Sequence, residues 1–177
     1  TMLKSEALVL RAQLKQTAEN ILLVAEDNSF WAAAYDNVFV NFDRKWVEDN
    51  YGENLTILHK LDSFFIYGVD NNVIFSKSDD GQPSTDSLLA TGLGTHLQTL
   101  TADDYKTAVT SSGILEINKR LFFYGASLVQ KLDVTAPSKI PAERRPIIVF
   151  VQELKEEVLT NIGNNIGTNL NTTLDIR

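Results

Sequence analysis

The sequence predicts an α+β domain in which a long N-terminal helix packs on a central antiparallel sheet. Three observations carry this. Apolar residues recur every three or four positions from Leu3 to Phe42; after Ser63 the pattern changes to short apolar, aromatic and β-branched runs; and turn-forming residues separate neighbouring runs. Helices that precede and interrupt hairpin-joined strands describe an α+β arrangement.

The first element is read from the seam Leu3, Ala7, Leu10, Leu14, Thr17, Ile21, Val24, Asn28, Trp31, Tyr35, Val38 and Phe42. Its spacing is that of a single helix over about 3–41 that buries a narrow stripe against a partner helix or its own domain. Such a helix would be roughly 60 Å long at 1.5 Å per residue, more than the diameter of a domain this size, so part of it projects. A projecting apolar stripe needs a cover. Either a second copy pairs with it in a parallel dimer or the helix leads to a membrane, and the plainer alternative is a core helix in a monomeric bundle. Polar residues cluster from Glu26 to Ser29, where the helix loosens and Asn28 or Ser29 is placed to cap a second segment. Asp43 is placed to cap a short helix that carries Trp46 and ends at Asn50-Tyr51-Gly52.

The segment from Asn54 to Leu61 reads as a brief helix or connector. SFFIYGV, from Ser63, has no polar face and reads as a strand covered on both sides; Asp70-Asn71-Asn72 turns it into VIFSK. Ser78 to Ser84 is a loop. Thr85 to Leu100 is helical but interrupted by Gly92 and Gly94, and Thr101 to Asp104 resembles a capping box that starts a helix through Ala108. Two strands follow, ILEIN and RLFFYGASLVQ, with their turn at Asn118-Lys119. Ala136 to Pro146 holds three of the four prolines and is a loop. IIVFVQ is a last apolar strand, Glu153 to Asn161 a helix ending near Gly163, and 166–177 an exit segment or edge strand.

Composition excludes several functions. A chain of 177 residues fits one domain, with a body over about 43–165, and a net charge of −7 argues against nucleic acid as a partner. Without cysteine there is no thiol catalysis, disulfide or Cys-ligated zinc. His59 and His96 are solitary, and Asp79-Asp80-Gly81 lacks the alternating oxygens of a calcium loop, so no metal or other cofactor is expected. No apolar run is long enough to span a membrane, and Thr1 preceding Met2 suggests an excised fragment whose flanking segments lie elsewhere.

The candidate binding residues are aromatic. Trp31 and Tyr35, one helical turn apart, either wall a ligand pocket between helix and sheet or anchor the helix to the sheet. Alternation places Arg120, Phe122, Tyr124 and Ala126 on one face of their strand and Leu121, Phe123 and Gly125 on the other. Arg120 among aromatics suits a bidentate clamp on a carboxylate or amide, or else shields a sheet edge. Tyr67 has a hydroxyl that needs a partner if buried and is placed to share the same cavity. Arg144-Arg145 reads as a solvated loop.

Read together, Glu26-Asp27, Trp31, Tyr35-Asp36, Trp46, Asn50 and Gly52, the hairpin FFIYGVDNNVIFS and the segment RRPIIVFVQELKEEVLTNIG resemble the fourth class of CHASE domains over about Ala18 to Ile166. Two positions depart from that pattern: Ala32 stands where Asp usually follows the tryptophan, and Asn72 where Gly is common. The resemblance implies a PAS/Cache-like sheet and a periplasmic or extracellular sensing domain. It also implies a receptor held in the cell membrane by flanking helices, with a histidine kinase or a cyclic-di-GMP synthase or hydrolase (GGDEF, EAL) as output. A homodimer would transmit a helix shift on binding a small molecule. The alternative is a docking module that uses the aromatic seam and Thr85 to Leu100 to bind a periplasmic partner protein.

Overall fold

A computed structural model describes residues 2–52, 60–78, 83–156 and 160. Its elements in chain order are α1 (Met2–Ser29), α2 (Ala32–Ala34) widening into a π-helical turn (Tyr35–Val40), α3 (Arg44–Tyr51), β1 (Ser63–Tyr67) and β2 (Val73–Ser78). A helical stretch follows, made of α4 (Thr85–Leu88), a second π-turn (Leu89–Leu93) and α5 (Gly94–Leu97). The chain then forms β3 (Thr110–Ile117), β4 (Arg120–Leu128) and β5 (Ile147–Glu153). The five strands form one sheet in the order β2-β1-β5-β4-β3, antiparallel at every pairing. The α+β expectation holds, with the long helix packed on this sheet.

Both hairpins follow from their turn chemistry. At Asn118 and Lys119 φ is 51° and 63°, the two-residue turn whose twist matches the strands on either side. Asn71, at φ 62°, closes the β1–β2 loop beneath the Gly68 amide, which donates to the Asn72 carbonyl at 2.7 Å. The strands β1 and β5 lie inside the sheet, and every residue of β1 is buried, as a run without a polar face requires.

Each sheet face has its own core. On the α1 face, Phe64, Ile66, Phe75, Phe123, Ile148 and Phe150 meet Ile21, Ala25, Val38, Val47 and Tyr51. On the other, Phe65, Tyr67, Phe122, Tyr124, Leu128 and Val149 are covered by Leu88, Leu93 and Leu97 from the stretch between β2 and β3. Gly92, at φ 96°, breaks that stretch as expected, whereas Gly94 is helical.

The helix expected over 3–41 does not run through. It ends at Ser29, and Trp31 is extended at φ −156° and ψ 153° before α2 begins. Asn28 and Ser29 compete with the helix through their side chains, and the carbonyls released at its end find donors elsewhere. The Trp31 indole and the Tyr51 hydroxyl both donate to the Asn28 carbonyl, at 3.0 and 2.6 Å, and the Gln130 amide donates to the Ser29 carbonyl at 2.9 Å. Asn28 and Ser29 therefore finish α1; α2 has no side-chain cap. The buried stripe of α1 runs through Ile21, Ala25 and Ser29, while Leu8 and Val9 in its first half are exposed, so the helix projects past the sheet.

Further along, Asp43 caps α3 by accepting from the Trp46 amide, as read from the sequence. The helix expected over 101–108 is absent. The Asp104 carboxylate accepts from the Lys106 and Thr107 amides, both at 2.7 Å, and Ala102 bridges Glu143, which pulls the backbone out of helical register. Glu153 ends β5 instead of opening a helix. The readings of 54–59, of the Asp79-Asp80-Gly81 turn, of most of the 153–161 helix and of the 166–177 exit segment lie outside the described residues.

Candidate functional site

The strand β4 touches both layers, as β1 and β5 do, and makes the most extensive contact with α1. Tyr124 points to the covering stretch, where its hydroxyl lies 3.0 Å from Ser111 Oγ, and Ser111 Oγ lies 2.7 Å from His96 Nε2. Nearby, Gln98 donates to the Tyr67 hydroxyl at 3.2 Å. Two buried tyrosine hydroxyls thus find their partners in or beside the covering layer, as amphipathic rings require. One residue along, Gly125 faces the other way and lies under α1, and at Ser127 the strand is tied to the helix by a buried hydrogen bond of 2.6 Å from Ser29 Oγ to Ser127 Oγ.

A second polar cluster seals the end of α1. Arg145 has a fully buried side chain, correcting its reading as part of a solvated loop. Its guanidinium donates to Glu143 Oε1 at 2.5 Å, to Gln130 Oε1 and to the Asp104 carbonyl at 3.2 Å. It also sits over the Tyr105 and Tyr35 rings, 4.7 and 5.5 Å from their centroids. A buried cation persists only when its donors are met this fully. Gln130 completes the knot by donating to the Thr107 and Asp104 carbonyls. Burial pushes the Tyr35 hydroxyl up, opposed by the Arg145 charge, and the hydrogen bonds from Thr107 and Lys106 hold the Asp104 carboxyl down to about 2. The one local hint of Arg145 in the sequence is Glu143 two residues before it, which places the pair on one side of an extended lead-in to β5.

The six residues singled out from the sequence fall into three places. Tyr67, Phe122 and Tyr124 share the covered face of the sheet. Arg120 lies at the start of β4, stacked on Phe122 and held bidentately by Glu153, both contacts at 2.7 Å. Trp31 and Tyr35 lie on the opposite side, one turn apart after the helix break, with their rings directed to different neighbours: Trp31 packs on Trp46 at 5.3 Å and is 37% exposed, and Tyr35 turns toward Phe39, Tyr105 and Arg145. None of the six lines either described cleft. One cleft, of about 320 Å³, opens beside β1 and β2, and the other, of about 400 Å³, lies between α1 and Gln152.

The chain belongs to the CHASE4 domain family, whose profile matches residues 13–173. CHASE4 domains are extracellular sensory domains of signalling receptors, not catalytic ones. A search of curated protein sequences finds no match to the chain. Among the described residues no helix is long and apolar enough to cross a membrane.

Proposed function

We propose that this domain is the extracytoplasmic ligand-sensing part of a transmembrane receptor, with a histidine kinase or a cyclic-di-GMP synthase or hydrolase as its output. A small molecule bound on the covered side of the sheet shifts β4, and β4 shifts α1. The observation that supports this is the adjacency of Tyr124 and Gly125, which puts covering layer and helix on opposite sides of one strand. The exposed first half of α1, with Leu8 and Val9, pairs with the same surface of a second copy, so that a shift changes helix spacing in a homodimer. A ligand drives this only through unequal affinity for the two arrangements.

A thermal-shift screen against amino acids, polyamines, organic acids and sugars tests the first half of the reading. A spin label at Lys15→Cys, in a chain that has no other cysteine, tests the second by reporting the α1–α1 distance with and without each hit. No stabilising ligand, or a distance that ignores every ligand, would sink it. A docking module is favoured by one observation: Trp31, which packs on Trp46, is exposed, and so are Val40 and Phe42. In that reading a partner protein covers those side chains and no small molecule is enclosed.

A further inference from the structure

The sheet edge formed by β1 and β2 carries a line of hydroxyls. Register pairs Ser63 with Ser78 and Phe65 with Ser76, so the three serines lie on the covered face, toward Ser84 and Thr85 at the start of α4. Between them is the cleft of about 320 Å³. Lys77 is also at its wall, but it stands opposite Phe64 and so belongs to the α1 face of the strand.

Ser63 is the residue that calls for an explanation. It is only 4% exposed, and its Oγ is the one buried side-chain polar atom among the described residues that makes no hydrogen bond. A buried hydroxyl in that condition costs stability that alanine would not cost. Ser84 Oγ, by contrast, is already engaged with Ser87. A polar atom buried at such a cost calls for a partner that the fold itself does not supply.

The chemistry of the wall selects the occupant. Each serine hydroxyl both donates and accepts, and the serines and threonine facing the cleft bring no charge. Lys77 is the one charge at the wall, and it belongs to the other face of the strand, so a charged ligand on the serine side would lose its hydration without a counter-ion on that side. A volume near the lower end of the range for ligand pockets limits the size. We propose that this cleft binds a small uncharged polyhydroxylated solute, a polyol or a single sugar, with Ser63 Oγ as its innermost contact and Ser76 and Ser78 along the rim. The assignment names a ligand class for the sensing reading above and rests on that reading only for its consequence, not for binding itself.

The test is calorimetric titration of the purified domain with glycerol, myo-inositol and D-glucose, with acetate and inorganic phosphate as charged comparators. At least one uncharged probe is expected to bind saturably, and Ser63→Ala to weaken it about ten-fold, the loss of one good hydrogen bond. The same variant, free of ligand, is expected to melt at or above the wild-type temperature. Ser76→Ala, on the exposed part of β2, is expected to give the same loss of affinity. The assignment is overturned if no uncharged probe binds, if acetate or phosphate binds in its place, if affinity is unchanged in both variants, or if Ser63→Ala lowers the melting temperature. Saturable binding with an unmoved α1–α1 distance would uphold the site and sink the signalling reading. A silent cleft, with α1 responding to some other ligand, would do the reverse.

Discussion

The backbone of Gly125 lies against the backbone of Ile21 so closely that a Cβ at residue 125 would stand 2.7 Å from the Ile21 carbonyl. The contact is backbone on backbone, so no flexible side chain can yield. Gly125→Ala is expected to push α1 off β4 and to destabilise the domain by about 1 to 3 kcal/mol in a urea titration. A loss below roughly 0.5 kcal/mol, within the range of an ordinary surface change, would show that the helix is not seated there.

Arg145 offers a sharper test. Removing it strands Glu143 and Gln130 and leaves two tyrosine faces without their cation, so Arg145→Ala should cost about 3 to 5 kcal/mol. Methionine restores volume without charge and should cost less than alanine. Lysine cannot reproduce a planar fork shared among three acceptors, and it should not rescue. Equal stability of the lysine variant and wild type would remove the knot from the list of features that hold the end of α1.

Asp104 makes acid stability diagnostic. Its folded pKa is depressed from the usual carboxylate value to about 2, so its contribution is full above about pH 4 and lost as the pH falls toward 2. Melting curves of wild type and Asp104→Ala should therefore differ at pH 6 and converge near pH 2. Curves that stay parallel through that window would mean that the carboxylate charge is not what holds the Lys106 and Thr107 amides.

Tyr51 makes the complementary prediction at high pH. Burial raises its pKa above the ordinary tyrosine value, so the folded ring stays neutral while the unfolded one ionises above about pH 10, and stability falls there. Tyr51→Phe should cost about 1 kcal/mol at neutral pH, because the Trp31 indole still serves the Asn28 carbonyl. The gap between variant and wild type should narrow as the pH passes 10. A gap that widens instead would contradict the neutral buried hydroxyl.

What was legible in the sequence was what neighbours in the chain decide. Asp43 caps the helix that begins beside it, Asn118-Lys119 turns the strands on either side, and the alternation of RLFFYGA sorts Phe122 and Tyr124 from Phe123 and Gly125. The loosening at Glu26 to Ser29 was legible, but not that it parts the helix outright, because the donors that make the break tolerable, Tyr51 and Gln130, are 23 and 101 residues away. The same holds for Arg145, whose rings come from Tyr35 and Tyr105, and for 101–108, where pairing with Glu143 overrode a plausible helix start. Alternation also left open which face of β4 would meet α1. Tyr35 and Tyr67, read together as candidates for ligand contact, therefore stand on opposite sides of the sheet.

The fastened end of α1 has a mechanical consequence. Its last turn is held by Trp31, Tyr51, Gln130 and Ser127, while the helix extends some 42 Å at 1.5 Å per residue and packs on the core from Leu14 onward. It is a lever with its fulcrum on β4 and a free arm of roughly 18 Å. Tilting such an arm by about 5° would sweep its tip through about 1.5 Å, within the scale of helix shifts that switch subunit interfaces. A repacking at Gly125 too small to disturb either core would reach the far end of the helix enlarged.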